Sequence, residues 1–249
     1  MVDYSSYEDS IKHMLNSGDI TNFKGSSHYT AILEHTSLDL GIKYLECIRK
    51  YYNLSDDEVI AYCKINDTIG SPRLESVKGL LVSPSSLRYV FHSLKILEYC
   101  RSLRLNNLKF VEVGAGYGGL ILALNHFASR YDIKIQEYHC VDLGWPLKLQ
   151  QKYISYHTLE FNVTPHINSS FGSDIHGSNY FLISNYCFSE IDKSYQDRYI
   201  TDLFPKIDHG FLTWNHIPVY DIGKKVRVEL EYPLTCPETH EHKNYYVYF

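Results

Sequence analysis

A short apolar run, Lys109 to Val113, ends in Gly114-Ala115-Gly116-Tyr117-Gly118-Gly119 and passes directly into the apolar stretch Leu120 to Phe127. Few features restrict a fold as tightly. A strand-length apolar run that turns through glycines into a helix-length apolar run is a strand–turn–helix unit. Glycine at alternate positions gives the turn backbone conformations, and close approaches, that a Cβ forbids. Such a turn presents backbone N–H groups at the carboxyl end of a strand, where open α/β sheets bind their ligands.

The sequence beyond about residue 106 repeats this alternation. Ile135 to Leu143 reads as a strand, Pro146 to Tyr156 as a helix, and Val163 to Ile167 as a short strand. Tyr180 to Asn185 is a clear apolar strand, followed by a helix from about Lys193 to Leu203 and a strand from Gly210 to Trp214. Strands that alternate with helices predict a parallel sheet. Val226 to Leu230 and Tyr245 to Phe249 have no helix between them, only a long connection through Pro233 and Pro237. They predict a terminal antiparallel hairpin. Residues 1–105 read mainly as helices. Ile11, Met14 and Leu15, and then Leu38, Ile42, Leu45 and Ile48, recur at helical spacing. Ser55-Asp56-Asp57-Glu58 is a helix start, and Ser83-Pro84 opens a helix that turns Leu87, Val90, Phe91, Leu94 and Leu97 inward. The expected organisation is an N-terminal helical cap (1–105) on an α/β catalytic core (106–249). A parallel sheet closed by an antiparallel pair is the Rossmann-like methyltransferase arrangement.

The glycines satisfy two templates. Gly114, Gly116 and Gly118 fit the spacing usual for S-adenosylmethionine; Gly114, Gly116 and Gly119 fit the dinucleotide spacing. Glu112, two residues before the first glycine, favours the former. A carboxylate suits a ligand with a cationic sulfonium and ammonium, and sits poorly beside a pyrophosphate. Asp142 ends the second strand, where a carboxylate can accept both ribose hydroxyls.

Composition narrows the partners. The net charge is −5 and Lys and Arg form no run, so no nucleic-acid partner is expected. No apolar stretch is long enough to span a bilayer. Met1-Val2-Asp3-Tyr4-Ser5-Ser6 is polar and acidic, unlike a secretory signal, which predicts a cytoplasmic protein. The six cysteines include no Cys-x-x-Cys pair, so neither a disulfide framework nor a clustered zinc site is expected.

Three segments give the chain a resemblance to the sugar O-methyltransferases of surface-polysaccharide gene clusters. They are Ser83-Pro84-Ser85-Ser86-Leu87-Arg88-Tyr89 with Phe91-His92, then Val111 to Leu120, and then Val141-Asp142-Leu143 with Leu147, Leu149, Gln150 and Tyr153, joined to Ile183-Ser184-Asn185-Tyr186-Cys187-Phe188-Ser189-Glu190. The likeness runs over roughly residues 70 to 216. Gly144-Trp145-Pro146 departs from the Pro-Glu common at that point, and nothing before about residue 70 matches. The resemblance implies methyl transfer from S-adenosylmethionine to a sugar hydroxyl.

That chemistry needs alignment and a base for the hydroxyl proton. Glu190 and His216 follow successive strands and are the catalytic candidates. Arg88 is placed to hold a carboxylate, either of the methionine moiety or of an acidic sugar. Asn185 is a cofactor contact from its strand end. Cofactor contacts are thus expected from Glu112, Gly114, Gly116, Gly118, Asp142, Asn185 and Arg88. Asp192 and Asp221 lie near the candidate bases, but no spacing is diagnostic, and no metal is assigned. The expected partners are a small-molecule or glycan acceptor and a second copy of the chain in a homo-oligomer. Two alternatives remain. One is an NAD-dependent short-chain oxidoreductase or epimerase, which usually carries a Tyr-x-x-x-Lys pair; Tyr131-x-x-Lys134 has the wrong spacing. The other is a non-catalytic subunit of the same fold that binds a partner.

Overall fold

The computed structural model describes residues 5–235 and 241–249. Met1 to Tyr4, with much of the leader argument, and Cys236 and Pro237 lie outside the described residues. Among the described residues Cys47, Cys63, Cys100, Cys140 and Cys187 are free thiols.

The core is a seven-stranded sheet of order β5-β4-β3-β6-β7-β9-β8. Its strands are β3 (Asn107–Val113), β4 (Lys134–Asp142), β5 (Asn162–Ile167), β6 (Tyr180–Asn185), β7 (Ile207–Trp214), β8 (Arg227–Leu230) and β9 (Tyr245–Tyr248). The ladders from β5 through to β7 are parallel, whereas β9 runs antiparallel to both β7 and β8. This is the Rossmann-like methyltransferase sheet with its terminal hairpin. The chain builds outward from β3 through β4 to β5, then crosses back to place β6 on the other side of β3. The carboxyl end of β3 is therefore the topological switch point, where adjacent loops diverge and leave a crevice.

Both sheet faces are covered. Leu108 and Phe110 of β3 face one apolar layer, while Val111 and Val113 face the other. This two-sided burial explains the continuous apolar reading of β6, whose first five residues are all buried. The first layer holds α5 (Pro84–Ser102), α6 (Gly119–Phe127) and α7 (Gly144–Ile154). The second holds Tyr199 of α8 (Lys193–Asp202) and the connection after β7, through Ile222.

Before the sheet come α1 (Ser5–Ser17), α2 (Ser27–Ile32), α3 (Leu38–Tyr52) and α4 (Asp56–Asp67). Their apolar faces join the same layer as α5 and α6. The predicted inward residues of α5 are buried, and so are Arg88 and His92, because α3 and α4 pack on its outer side. The helical expectation for this region misses the hairpin of β1 (Glu75–Val77) and β2 (Leu80–Val82). Lys78 and Gly79 both have φ near +50° to +90°, the paired left-handed turn that tight hairpins favour. Three-residue strands are too short for a periodicity to register. Among the described residues no helix is long and apolar enough to cross a membrane.

Ser55 and Glu58 form a reciprocal capping box at the start of α4. Ser55→Ala removes one acceptor for the orphan N–H groups and is expected to lower stability by about 1 kcal/mol, read as a shift in the urea midpoint at unchanged slope.

Candidate active site

The glycine turn has the backbone that its sequence demands. Gly114, Gly116 and Gly118 have φ of +79°, +55° and +95°, where an L side chain is strained. A Cβ on Gly114 would also lie 2.4 Å from the Cys187 Sγ, and one on Gly116 would lie 3.2 Å from Leu33 Cδ1. Gly118 caps the N-terminus of α6. Asp142 holds the turn in place. One carboxylate oxygen accepts from Gly116 N at 3.2 Å and the other from Leu143 N at 2.7 Å. Burial pushes this carboxyl up to about 6, against the pull of those N–H donors.

Glu112 is placed differently from a cleft residue. It shares a sheet face with Phe110, is buried, and accepts from the Tyr138 hydroxyl at 2.6 Å. Burial raises its carboxyl to about 8, with the nearby Asp142 charge adding to the effect. A raised folded-state pKa means that the folded chain holds a proton that the unfolded chain has released. Its contribution is present below the unfolded value near 4.3 and is lost as pH rises through about 8. Glu112→Gln is expected to flatten the decline in stability between those limits, measured by urea denaturation across the range.

A second set of groups fixes the turn from the N-terminal side. Tyr117, the turn's tyrosine, is fully buried, and its hydroxyl accepts from Asn66 Nδ2 at 3.1 Å. Asn66 Nδ2 also donates to Ser86 Oγ at 2.7 Å, and Ser86 Oγ donates to Asp67 at 2.5 Å. The Ser83-Pro84-Ser85-Ser86 segment therefore ties α4 to the glycine turn; Ser83 caps α5 by position, with no side-chain cap bond. The ammonium of Lys24 is buried 4.4 Å from the Tyr117 ring centre and donates to Tyr153 Oη at 3.1 Å and to the Asn66 carbonyl. Burial lowers its pKa to about 8, with Glu34 and Asp67 partly opposing the shift.

The carboxyl ends of β6 and β7 are equally constrained. Ser184 Oγ donates to Val113 O at 2.7 Å and accepts from Phe188 N at 3.0 Å. Asn215 donates from its backbone N to Ser189 Oγ at 3.0 Å and from Nδ2 to Tyr186 O at 3.1 Å. Tyr186 itself has φ +56°, costly for an aromatic residue and held by these bonds. Glu190 and His216 are exposed at the ends of the two segments that Asn215 and Ser189 join. Asn185 turns sideways within the sheet, accepting from Thr213 Oγ1 at 2.7 Å.

Arg88 is buried, donates from Nη2 to Leu33 O at 2.7 Å, and packs against the Tyr89 and Tyr186 rings. Leu33 thus reaches both the glycine turn and Arg88. Gly116 thus meets both Asp142 and Leu33, Leu33 also meets Arg88, and Gly114 lies against Cys187 of the Tyr186–Glu190 segment, whereas Glu112 is engaged by Tyr138 and Asn185 by Thr213. Sequence reasoning missed Leu33, Lys24, Asn215 and Glu231. Glu231 is fully buried and accepts from the Tyr186 hydroxyl, from Thr235 N and Oγ1, and from Asn244 Nδ2. A lone Glu in an alternating strand carries no sign of such a role. No group of three or more His, Cys, Asp or Glu suited to a metal occurs among the described residues.

No family model and no curated protein matches the chain. Solved structures do resemble it. The methyltransferase domain of bacterial CtHen1 has a TM-score of 0.46 at 12% identity over 64% of this chain and 96% of that one. A Pyrococcus horikoshii protein, PH1948, assigned as an RNA methyltransferase, has 0.42 at 15% identity, over 64% of this chain and 81% of the other. CalS10, an amino pentose methyltransferase from Micromonospora echinaspora solved with S-adenosylmethionine, has 0.40 at 12%, over 57% of each. The sheet order and its switch-point glycine turn define the class: a Rossmann-like methyltransferase fold with an N-terminal helical region.

Proposed function

We propose that this chain is an S-adenosylmethionine-dependent O-methyltransferase acting on a hydroxyl of a sugar, nucleotide sugar or glycan. The observation that carries the reading is the glycine turn at the switch point, with Asp142 bound to its Gly116 N–H. The donor set fits the cofactor: a turn with glycine at positions 114, 116 and 118, a carboxylate at the neighbouring strand end, and a buried guanidinium. S-adenosylmethionine supplies an electrophilic methyl group on a cationic sulfonium. Asp142 would hold the ribose hydroxyls and Arg88 a carboxylate, while the turn itself approaches the ligand through backbone. Glu190 or His216 would take the acceptor's hydroxyl proton as the oxygen attacks. The sugar acceptor rests on the Ser83–Tyr89 and Ile183–Glu190 segments of the sequence resemblance. The N-terminal helical region, residues 1–105, would supply the acceptor side of the crevice.

Titration calorimetry with S-adenosylhomocysteine, with NAD as the parallel ligand, tests the cofactor. Saturable binding of the former alone supports the reading; binding of NAD instead refutes it. Transfer of labelled methyl to a panel of nucleotide sugars, glycans and RNA then tests the acceptor class. Replacement of the true base, by Glu190→Gln or His216→Asn, is expected to lower kcat by about 10²–10⁴-fold, while the other replacement leaves it near wild type.

A further inference from the structure

The two edges of the sheet are built differently. At one edge β5 carries Pro165, which has no N–H to offer a neighbouring strand. At the other, β8 is the last strand among the described residues and has no proline between Lys224 and Tyr232. Its Val228 and Leu230, followed by Tyr232, are 42%, 54% and 61% exposed. An exposed apolar edge strand is a template for another strand.

The ladder fixes which backbone groups are available. In an antiparallel pair, alternate residues direct their N–H and C=O to the same neighbour. Glu231 N donates to Asn244 O in continuation of the β8–β9 register, so Glu229 and Arg227 also face β9. Val226, Val228 and Leu230 therefore turn their backbone groups outward. Arg227 and Glu229 lie on the opposite side-chain face, about half exposed and 3.2 Å apart.

We propose that β8 pairs antiparallel with β8 of a second copy of this chain, about a two-fold axis through Val228. This centre places Val228 opposite Val228, Val226 opposite Leu230, and Arg227 opposite Glu229 in both directions. Every other centre between residues 226 and 230 fails. Centring on Val226 opposes Lys225 to Arg227, and centring on Arg227 opposes it to itself. Centring on Glu229 opposes two glutamates, and centring on Leu230, the last residue of β8, carries half of the pairing past the end of the strand. Like charges directly opposite destabilise a sheet. The strand is thus self-complementary in one register, with outward backbone groups in phase with it. Charges that would ordinarily guard an edge cancel against a second copy.

Sedimentation velocity of the full chain at about 50 μM tests this, because dimerisation is concentration-dependent. A species of twice 29.0 kDa is expected. Arg227→Glu opposes two glutamates across the axis, and Glu229→Arg opposes two arginines. Each is expected to weaken the dimer by at least about tenfold. Mixed one to one, the two variants complement each other and are expected to restore a dimer containing one of each. The double swap Arg227→Glu/Glu229→Arg is expected to dimerise as the natural chain does. Thermal melts monitored by circular dichroism check that each variant is folded. A monomeric natural chain overturns the proposal and leaves the edge to an extended segment of another protein. Single variants that stay dimeric, or a mixture that stays monomeric, also overturn it.

Discussion

Gly116→Val is expected to abolish S-adenosylhomocysteine binding, weakening it by at least about 100-fold, while leaving a folded protein. The residue has φ +55°, where a β-branched side chain meets its own backbone, at a cost of about 1–2 kcal/mol. Its Cβ would point at Leu33, 3.2 Å away, so the added side chain also crowds the residue that lies over the turn. Calorimetry reads the affinity, and far-UV circular dichroism with a urea melt reads the fold. Unchanged affinity would separate the turn from the cofactor and overturn the proposed function. In Gly114→Ala the Cβ would collide with the Cys187 side chain, so it strains the packing between the turn and the Tyr186–Glu190 segment.

The largest stability effect is expected at Glu231. Glu231→Ala leaves the Tyr186 hydroxyl, the Thr235 backbone and hydroxyl donors, and an Asn244 amide donor without their shared acceptor. Each buried donor left without its acceptor costs about 1–3 kcal/mol. Urea denaturation should show a loss of that order, and Glu231→Gln, which keeps one acceptor oxygen, a smaller one. The same variant should impair turnover. Tyr186 holds a left-handed backbone beside the Cys187–Glu190 segment, and the contact at its far end is Glu231. A fully stable Glu231→Ala would mean that water replaces the carboxylate.

Much of this architecture is legible in the sequence because its causes are local. The glycine turn follows from residues that can take positive φ, and β6 from an apolar run that needs two covered faces. The capping box of α4 is spelled by Ser55 and Glu58. The terminal hairpin follows from alternation without an intervening helix. Asp142 is legible for a related reason: a strand's last residue stands where its loop begins, and there it meets the Gly116 N–H.

What sequence alone could not decide is which distant groups meet. Whether Glu112 faces the crevice or a packed layer depends on the pleat of β3 and on Tyr138, a residue of the next strand. Lys24 reaches Tyr153 across 129 positions, and Tyr186 reaches Glu231 across 45. Leu33 sits over Gly116 because α1 and α2 pack against the core, not because of any pattern around it. Local propensity and periodicity fix elements and their order, since these depend on neighbours in the chain. Contacts across the fold depend on how the layers close over one another. In this protein the sequence determined the sheet, the turn and its acid, whereas only the tertiary structure decided what stands around them.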